Sequence, residues 1–268
     1  LLAYFCTMKN QRRSQVEFIV LMAALMSIVA LSIDAVLPAL PDIGDFDAVD
    51  IIEVLVKVGD VVNETELDSS TCDCCQTSIA VSEKGPVVVY RDRSMKEVRD
   101  IYITRRINDV WESPRPVHND GWIINGCPVN GPKVAVNSNN FAVSWFTVSN
   151  GKPTVNLSFS KSNGNSFGSP LKINDHNAIG RVDVAFLNDQ EVIVSYIEVD
   201  DIGTYLRIKK VSIDGTISAP ITISKIDGGR NTGVPQLEIF NNEIFIVWTV
   251  LINEKNQLKS VKLNSENI

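Results

Sequence analysis

Three cysteines lie within four positions in the segment 71–77, which reads TCDCCQT, whereas the whole chain of 268 residues contains five cysteines. Closely spaced thiols occur in zinc knuckles, covalent haem sites, redox pairs and disulfide frameworks. Haem attachment is excluded because it requires Cys-x-x-Cys-His, and Gln76 follows Cys75 here. The other three chemistries depend on where the fold places Cys72, Cys74 and Cys75.

The composition favours one large all-β domain or two smaller domains. An apolar fraction of 44% is sufficient for a sizeable core, and the formal net charge of −7 argues against nucleic acid as a partner. Only the first residues, with Lys9, Arg12 and Arg13, are locally basic.

Residues 18–33 carry no charge, and this stretch, with its basic flank, is typical of a membrane helix whose N-terminus is cytoplasmic. The segment LSIDAVLPALPDIG resembles the first transmembrane helix of drug-efflux transporters of the major facilitator superfamily, so residues 1–44 are predicted to form one hydrophobic N-terminal helix. A single helix cannot form a transport path. We therefore expect a membrane anchor or an uncleaved signal.

Residues 41–67 are similar to the opening of a lipoyl domain, chiefly through the element VKVGDVV. A lipoyl domain carries its cofactor on the lysine of an Asp-Lys-Ala hairpin, and no such tripeptide follows. Lipoate is therefore not expected. Residues 45–70 are predicted to form partial lipoyl-like strands or a linker.

From residue 71 the sequence repeats at intervals of about 50 residues, which fits one propeller blade per repeat. Each repeat has an alternating inner strand, a run that ends in an aromatic residue, a third alternating run and a proline-containing phrase. Four strands per repeat predict an all-β propeller with blades at about 71–118, 127–173, 180–226 and 233–263. The aromatic residues are Tyr90, Trp145, Tyr196 and Trp248.

The segment SKSNGNSF resembles the Asp-box of sialidases, and VSIDGTIS is a shortened version of it. Through these motifs, residues 71–263 resemble the sialidase-like (Asp-box/BNR-type) β-propeller superfamily, in particular a bacterial, exported branch. The resemblance implies six blades, of which four are present, so the chain is expected to be truncated at both ends. The Asp-box residues with a predicted structural role are Ser160, Ser162, Gly164, Phe167, Asp214 and Gly215.

Alignment of the first and second inner strands places Cys72 and Cys127 at equivalent positions of adjacent blades. We predict that Cys72, Cys74, Cys75 and Cys127 converge where loops surround the channel. A disulfide between Cys72 and Cys127 is one interpretation. A Cu or Zn site that includes His176 or His118 is the second, and a reactive redox thiol is the third.

Loop arginines and scattered acids supply the other candidates. The predicted binding residues for an anionic ligand are Arg91, Arg93, Arg99, Arg181 and Arg230. A glycoside hydrolase needs two carboxyl groups beside the scissile bond, and the spacing singles out no pair. The catalytic candidates are Asp92, Asp100, Asp183 and Glu198.

These observations predict an exported or membrane-anchored propeller of the bacterial cell envelope, periplasmic or extracellular, that binds a glycan, an anionic small ligand or a metal at the channel mouth. The alternatives are an exo-glycosidase of the sialidase type and a structural protein-interaction module. Unpaired strands at the two ends of an open propeller predict self-association.

Overall fold

The computed structural model describes residues 64–229 and 232–268, of which Thr65–Ile268 belong to one compact unit. The hydrophobic segment 1–44 and most of segment 45–70 lie outside the described residues, as does Arg230. In the part of the chain that is described, no helix has the length and apolar character needed to cross a membrane.

The described residues form four antiparallel sheets in which strands adjacent in sequence are paired, apart from β5, which pairs with β3. The first sheet contains β1 (Ser78–Ser82), β2 (Gly85–Arg91), β3 (Ile101–Ile107), β4 (Val110–Trp111) and β5 (Arg115–His118). The second sheet contains β6 (Lys133–Asn137), β7 (Asn140–Thr147), β8 (Thr154–Ser160) and β9 (Leu171–Lys172).

The third sheet contains β10 (Asn177–Phe186), β11 (Glu191–Val199), β12 (Thr204–Ser212) and β13 (Ile221–Lys225). The fourth sheet contains β14 (Gln236–Phe240), β15 (Glu243–Ile252) and β16 (Lys255–Asn264). Single turns of 3-10 helix occur at Ser149–Gly151 and Ser265–Asn267. The order of strands agrees with the repeats predicted from the sequence.

The first strands of the four sheets converge on a common axis. Lys133 of β6 donates to the side chain of Gln236 on β14 at 2.8 Å, which joins the second sheet to the fourth. The Asp183 carboxylate on β10 accepts the backbone N–H of Leu237 at 2.9 Å, which joins the third sheet to the fourth. First strands that line a common axis, each followed outward by its own sheet, define a β-propeller.

A separate hydrophobic cluster lies between each pair of neighbouring sheets. The repeated aromatic residues of the second strands are at most 6% exposed, and Trp145, Tyr196 and Trp248 belong to these clusters. Strand β11 is buried on both faces along most of its length, because the second and fourth sheets cover it. The apolar residues that alternate along each strand thus lie on the sheet faces that pack against the neighbouring blade.

The predicted Asp-box segment forms the tight connection between β8 and β9. The Ser160 hydroxyl accepts the backbone N–H groups of Ser162 and Gly164, at 3.2 and 3.0 Å. Gly164 has φ +76°, and a Cβ there would lie 2.6 Å from Phe141. In the equivalent turn of the third sheet, the Asp214 carboxylate accepts the N–H of Thr216 at 2.9 Å. In both turns a side-chain oxygen stabilises the backbone conformation. Both turns lie at the end of the sheets opposite to the loops described below.

The fourth sheet ends in β16, whose residues are mostly exposed and include Lys255, Lys259 and Lys262. On the first sheet, Ile79 and Val81 of β1 are 67% and 74% exposed. Lysines on an outer strand oppose pairing with another strand because their charges would be brought together. Self-association at the open edges stays a prediction, and the lysines of β16 oppose it there.

Candidate functional site

The loop face is defined here as the end of the propeller formed by the loops that precede each first strand and the loops that join second to third strands. In the first two sheets these loops span residues 64–77, 92–100, 119–132 and 148–153. In the third sheet they span residues 173–176 and 200–203. All four cysteines of the described residues lie on these loops, at the face where sequence reasoning placed them.

The four sulfurs form one group, called the cysteine cluster below. Cys74 and Cys127 form a disulfide with a Cα separation of 6.0 Å. Cys72 and Cys75 are free and buried, with their Sγ atoms 3.2 Å apart. The Sγ of Cys72 lies 3.7 Å from the Sγ of Cys74. The predicted convergence is present, and it contains one oxidised pair and one reduced pair.

The predicted disulfide between Cys72 and Cys127 is wrong, because Cys74 is the partner of Cys127. The strand alignment itself holds, since the backbone N–H of Gly131 bonds to the equivalent Gln76 side chain at 3.0 Å. Cys72, however, donates its backbone N–H to the carbonyl of Arg91 at 2.9 Å, which draws it toward the sheet and buries its side chain. Loop positions before a strand do not keep the register of the strand.

A charged group contacts one of the free thiols. The Arg99 guanidinium donates to the Sγ of Cys72 at 3.1 Å and is itself held by Glu97 at 2.6 Å. Burial raises the pKa of the Cys75 thiol to about 11. Cys72 and Cys75 are spaced Cys-x-x-Cys, a signal that was present in the sequence and was overlooked.

The metal-binding interpretation predicted a set of three or four thiolates with a histidine. Cys72, Cys74 and Cys75 lie with their sulfurs within 4.8 Å, but the disulfide takes Cys74 and Cys127 out of such a set. The group contains no histidine, and His176 lines a different cleft. His118 lies 3.8 Å from Asp120 instead. A Cu or Zn site at this cluster stays a prediction for the reduced chain.

Arg91, predicted to bind a ligand from an exposed loop, is 2% exposed. It ends β2, and its guanidinium donates to the backbone carbonyls of Asn130, Phe146 and Arg99 at 2.6–3.0 Å. It also lies 5.0 Å from the Trp122 ring. Because its donors contact backbone of both the first and second sheets, Arg91 has a structural role, and the prediction is corrected.

The other arginines differ in their surroundings. Arg99 is buried against Cys72 and Glu97, so it is not free for a ligand either. Arg93 is 43% exposed and pairs with Glu97 at 3.0 Å. Arg181 is half-buried and donates to the carbonyl of Gly228 at 3.3 Å. Only Arg93 and Arg181 therefore remain candidates for ligand binding among the described residues.

A polar cleft of about 650 Å³ opens on the loop face between the second and third sheets. Lys152 and Lys172 on its walls are exposed and have no ion-pair partner among residues 64–229 and 232–268. Sequence reasoning missed this cleft, because its charges come from three separate loops. Its charged and imidazole side chains are Lys152, Lys172, Asp175, His176, Asp200 and Asp201.

Buried polar side chains hold the loop that carries Asp175 and His176 in place. The Glu198 carboxylate, on β11, accepts the backbone N–H groups of both residues at 3.0 and 2.9 Å. The Asn174 side chain donates to the carbonyl of His176 at 2.6 Å, and Lys209 pairs with Asp175 at 2.7 Å. These contacts hold one wall of the cleft in a fixed conformation before any ligand binds.

Three of the four predicted catalytic acids have structural roles. Glu198 is fully buried and also pairs with Arg207. Asp183 accepts two backbone N–H groups, and burial raises the pKa of its carboxyl. Asp100 is buried and accepts the backbone N–H of Gly121 and Trp122 at 3.2 and 3.3 Å. Each of these three carboxylates therefore has a structural role, and a catalytic role for them stays a prediction.

Asp92 differs because it borders an open groove of about 460 Å³ together with Asp68 and Tyr102. Burial raises the pKa of the Asp92 carboxyl, and the neighbouring Asp68 and Asp100 charges act in the same direction. The Tyr90 hydroxyl donates to Asp68 at 2.5 Å. Asp68 was not identified from the sequence, because a single acid in a loop carries no distinguishing pattern.

The sheet order and the loop face define an all-β protein of the propeller type. No protein-family model matches the chain, and no curated protein matches it either. The resemblances to a transporter helix and to a lipoyl domain therefore gain no support.

Solved structures of glycoside hydrolases are similar over part of the chain. The Hadza microbial sialidase Hz136 has a TM-score of 0.47 at 15% identity, with 70% of this chain and 44% of the sialidase covered. An endo-arabinase from Bacteroides thetaiotaomicron has a TM-score of 0.46 at 13% identity, covering 72% and 76%. A GH62 alpha-L-arabinofuranosidase from Coprinopsis cinerea has 0.44 at 11%, covering 78% and 68%. The chain thus spans under half of the sialidase.

Proposed function

We propose that the propeller binds a glycan or a similar polar ligand carrying negative charge in the cleft between the second and third sheets. The observation that carries this proposal is the pair of unpartnered lysines, Lys152 and Lys172, beside a loop that Glu198 holds in place. Ammonium groups attract a carboxylate or phosphate, and Asp201 and His176 offer partners for hydroxyl groups. A fixed loop lowers the entropy lost on binding.

Replacement of both Lys152 and Lys172 by glutamine is expected to weaken binding of 3′-sialyllactose about tenfold, which corresponds to about 1.4 kcal/mol. Titration calorimetry with 3′-sialyllactose and with neutral lactose measures the effect of the charge. The matched control is Lys84→Gln, since Lys84 is an exposed lysine in the turn between β1 and β2, at the opposite end of the sheet. Equal affinity of the double variant and the wild type would contradict the proposal.

The location we propose is the bacterial cell envelope, periplasmic or extracellular. The Cys74–Cys127 disulfide supports this location, because such bonds persist in oxidising compartments. A membrane anchor formed by residues 1–44 belongs to the same proposal.

An exo-glycosidase is the second candidate, and Asp92 beside Asp68 is the observation that favours it. A raised pKa makes the Asp92 carboxyl a better general acid than an ordinary one, and the Asp68 carboxylate supplies the second group that such a reaction needs.

If the chain is such an enzyme, Asp92→Asn is expected to lower the turnover of a fluorogenic sialoside at least about a hundredfold, the contribution of a positioned acid. The control is Asp109→Asn, a change in an exposed acid of the turn between β3 and β4 at the opposite end of the sheet, which leaves turnover unchanged. Turnover by the wild type that survives in Asp92→Asn would exclude this groove as the catalytic site, and binding without any turnover would leave the ligand-binding proposal alone.

A further inference from the structure

The two pairs of cysteines differ in their access to solvent. Cys127 is exposed and Cys74 is half-buried, so the disulfide lies at the surface of the loop face. Cys72 and Cys75 are 6% and 8% exposed and lie beneath it. An outer oxidised pair therefore covers an inner reduced pair.

Cys72 lies between the two pairs. Its Sγ is 3.7 Å from the oxidised sulfur of Cys74 and 3.2 Å from the thiol sulfur of Cys75. Exchange between a thiol and a disulfide requires a thiolate in contact with one sulfur of the disulfide. Both contacts needed for successive exchange steps are thus present without rearrangement of the fold.

We propose that the cysteine cluster carries out an internal thiol–disulfide exchange, in which two electrons pass from the buried Cys72–Cys75 dithiol to the exposed Cys74–Cys127 disulfide. In the first step the Cys72 thiolate attacks the Sγ of Cys74. The Cys72–Cys74 bond forms, the Cys74–Cys127 bond breaks, and Cys127 leaves as a thiolate that takes up a proton.

In the second step the Cys75 thiol loses its proton to water, and its sulfur attacks the Sγ of Cys72. The Cys72–Cys75 bond forms, the Cys72–Cys74 bond breaks, and Cys74 leaves as a thiolate that is then protonated. The cluster contains one disulfide and two thiols both before and after the two steps, so the reaction needs no external oxidant. The product presents a reduced pair at the surface, which a small-molecule disulfide can oxidise again to Cys74–Cys127 with release of two thiols.

Arg99 is the positioning residue for the first step. Its guanidinium donates to the Sγ of Cys72 at 3.1 Å, and two hydrogen bonds to Glu97 keep it there, at 3.2 and 2.6 Å. This contact fixes the position of the Cys72 sulfur, whose thiolate is the attacking species. Cys72, the cysteine that contacts the Arg99 guanidinium, is therefore also the one whose sulfur lies next to both Cys74 and Cys75.

The test follows the linkage of Cys127 in the full chain, kept anaerobic with a metal chelator. Protein with the single Cys74–Cys127 disulfide is incubated, quenched in acid, alkylated in denaturant and digested after lysine and arginine. Residues 58–84 then form one peptide that contains Cys72, Cys74 and Cys75. Exchange releases the Cys127 peptide in alkylated form and leaves a bond within peptide 58–84, whereas the starting protein gives the two peptides linked.

We expect the wild type to release the Cys127 peptide over time, Cys72→Ser to keep it linked, and Cys75→Ser to stop at the Cys72–Cys74 bond. Arg99→Gln is expected to slow release at least threefold, while Arg106→Gln, a change in a partly exposed arginine at the opposite end of the sheet, leaves the rate unchanged. The same unfolding midpoint in all variants shows that they are folded. Wild-type protein that keeps Cys127 linked as fully as Cys72→Ser at every time, without added oxidant, would overturn the proposal.

Discussion

Replacement of Glu198 by alanine is expected to lower the free energy of unfolding by about 3–5 kcal/mol, the cost of removing one partner from a buried ion pair. Glu198 is fully buried, pairs with Arg207 and accepts the backbone N–H groups of Asp175 and His176. Without the carboxylate, two backbone donors and part of a guanidinium lose their partner.

Urea unfolding followed by tryptophan fluorescence measures this change. The matched control is Glu243→Ala, since Glu243 also pairs with a cation on the next strand, Lys262, at 2.7 Å, but both side chains are exposed. An exposed pair contributes at most about 1 kcal/mol. If Glu198→Ala and Glu243→Ala shift the unfolding midpoint equally, Glu198 does not support the fold in the way described. Because Glu198 positions the loop of the cleft, the same variant is also expected to bind 3′-sialyllactose less tightly.

Replacement of Arg91 by methionine is the second large effect, with an expected loss of about 3–5 kcal/mol. The change leaves the carbonyls of Asn130, Phe146 and Arg99 without the donors they have now, and each buried unpaired group costs about 1–3 kcal/mol. Methionine keeps much of the volume, so the loss measures hydrogen bonding rather than a cavity.

The experiment also separates a structural role of Arg91 from the ligand-binding role that the sequence predicted. Replacing a structural arginine lowers the unfolding midpoint. Replacing a ligand-binding arginine lowers the affinity for the ligand and leaves stability unchanged. Arg93→Met serves as the control, because Arg93 is an exposed arginine on the same loop face. Unchanged stability of Arg91→Met together with weakened ligand binding would restore the original assignment.

The repeated strands could be predicted from the sequence because they carry a period. Alternation of apolar residues identified β1, β6, β10 and β14 as first strands, and burial of these positions requires that alternation. The same alignment makes Gln76 equivalent to Gly131, and the structure shows the two in contact. Positions fixed by strand pairing are therefore the ones that sequence reasoning recovers.

The loop face could be predicted only as a location. The strand alignment makes Cys72 and Cys127 equivalent, but both lie in the loops before the strands, and there Cys74 is the residue bonded to Cys127. Asp183 and Glu198 looked like catalytic acids because a sequence does not show which carboxylates accept backbone N–H groups. The cleft walls come from loops far apart in sequence, and no local pattern joins Lys152 to Asp201.

Because hydrophobic clusters lie between neighbouring sheets, the sheets are expected to unfold one after another in their order along the chain, beginning at one end. Each of the three clusters joins one sheet to the next, so stability is mainly a sum of sheet terms and nearest-neighbour terms, as in stacked repeat arrays, with the contact of Lys133 with Gln236 added between the second and fourth sheets. The first and fourth sheets have one such interface each, whereas the second and third sheets have two, and the fourth sheet has three described strands against five in the first. Opening therefore begins at the fourth sheet and advances inward one blade at a time, and amide hydrogens of β15 exchange before those of β11.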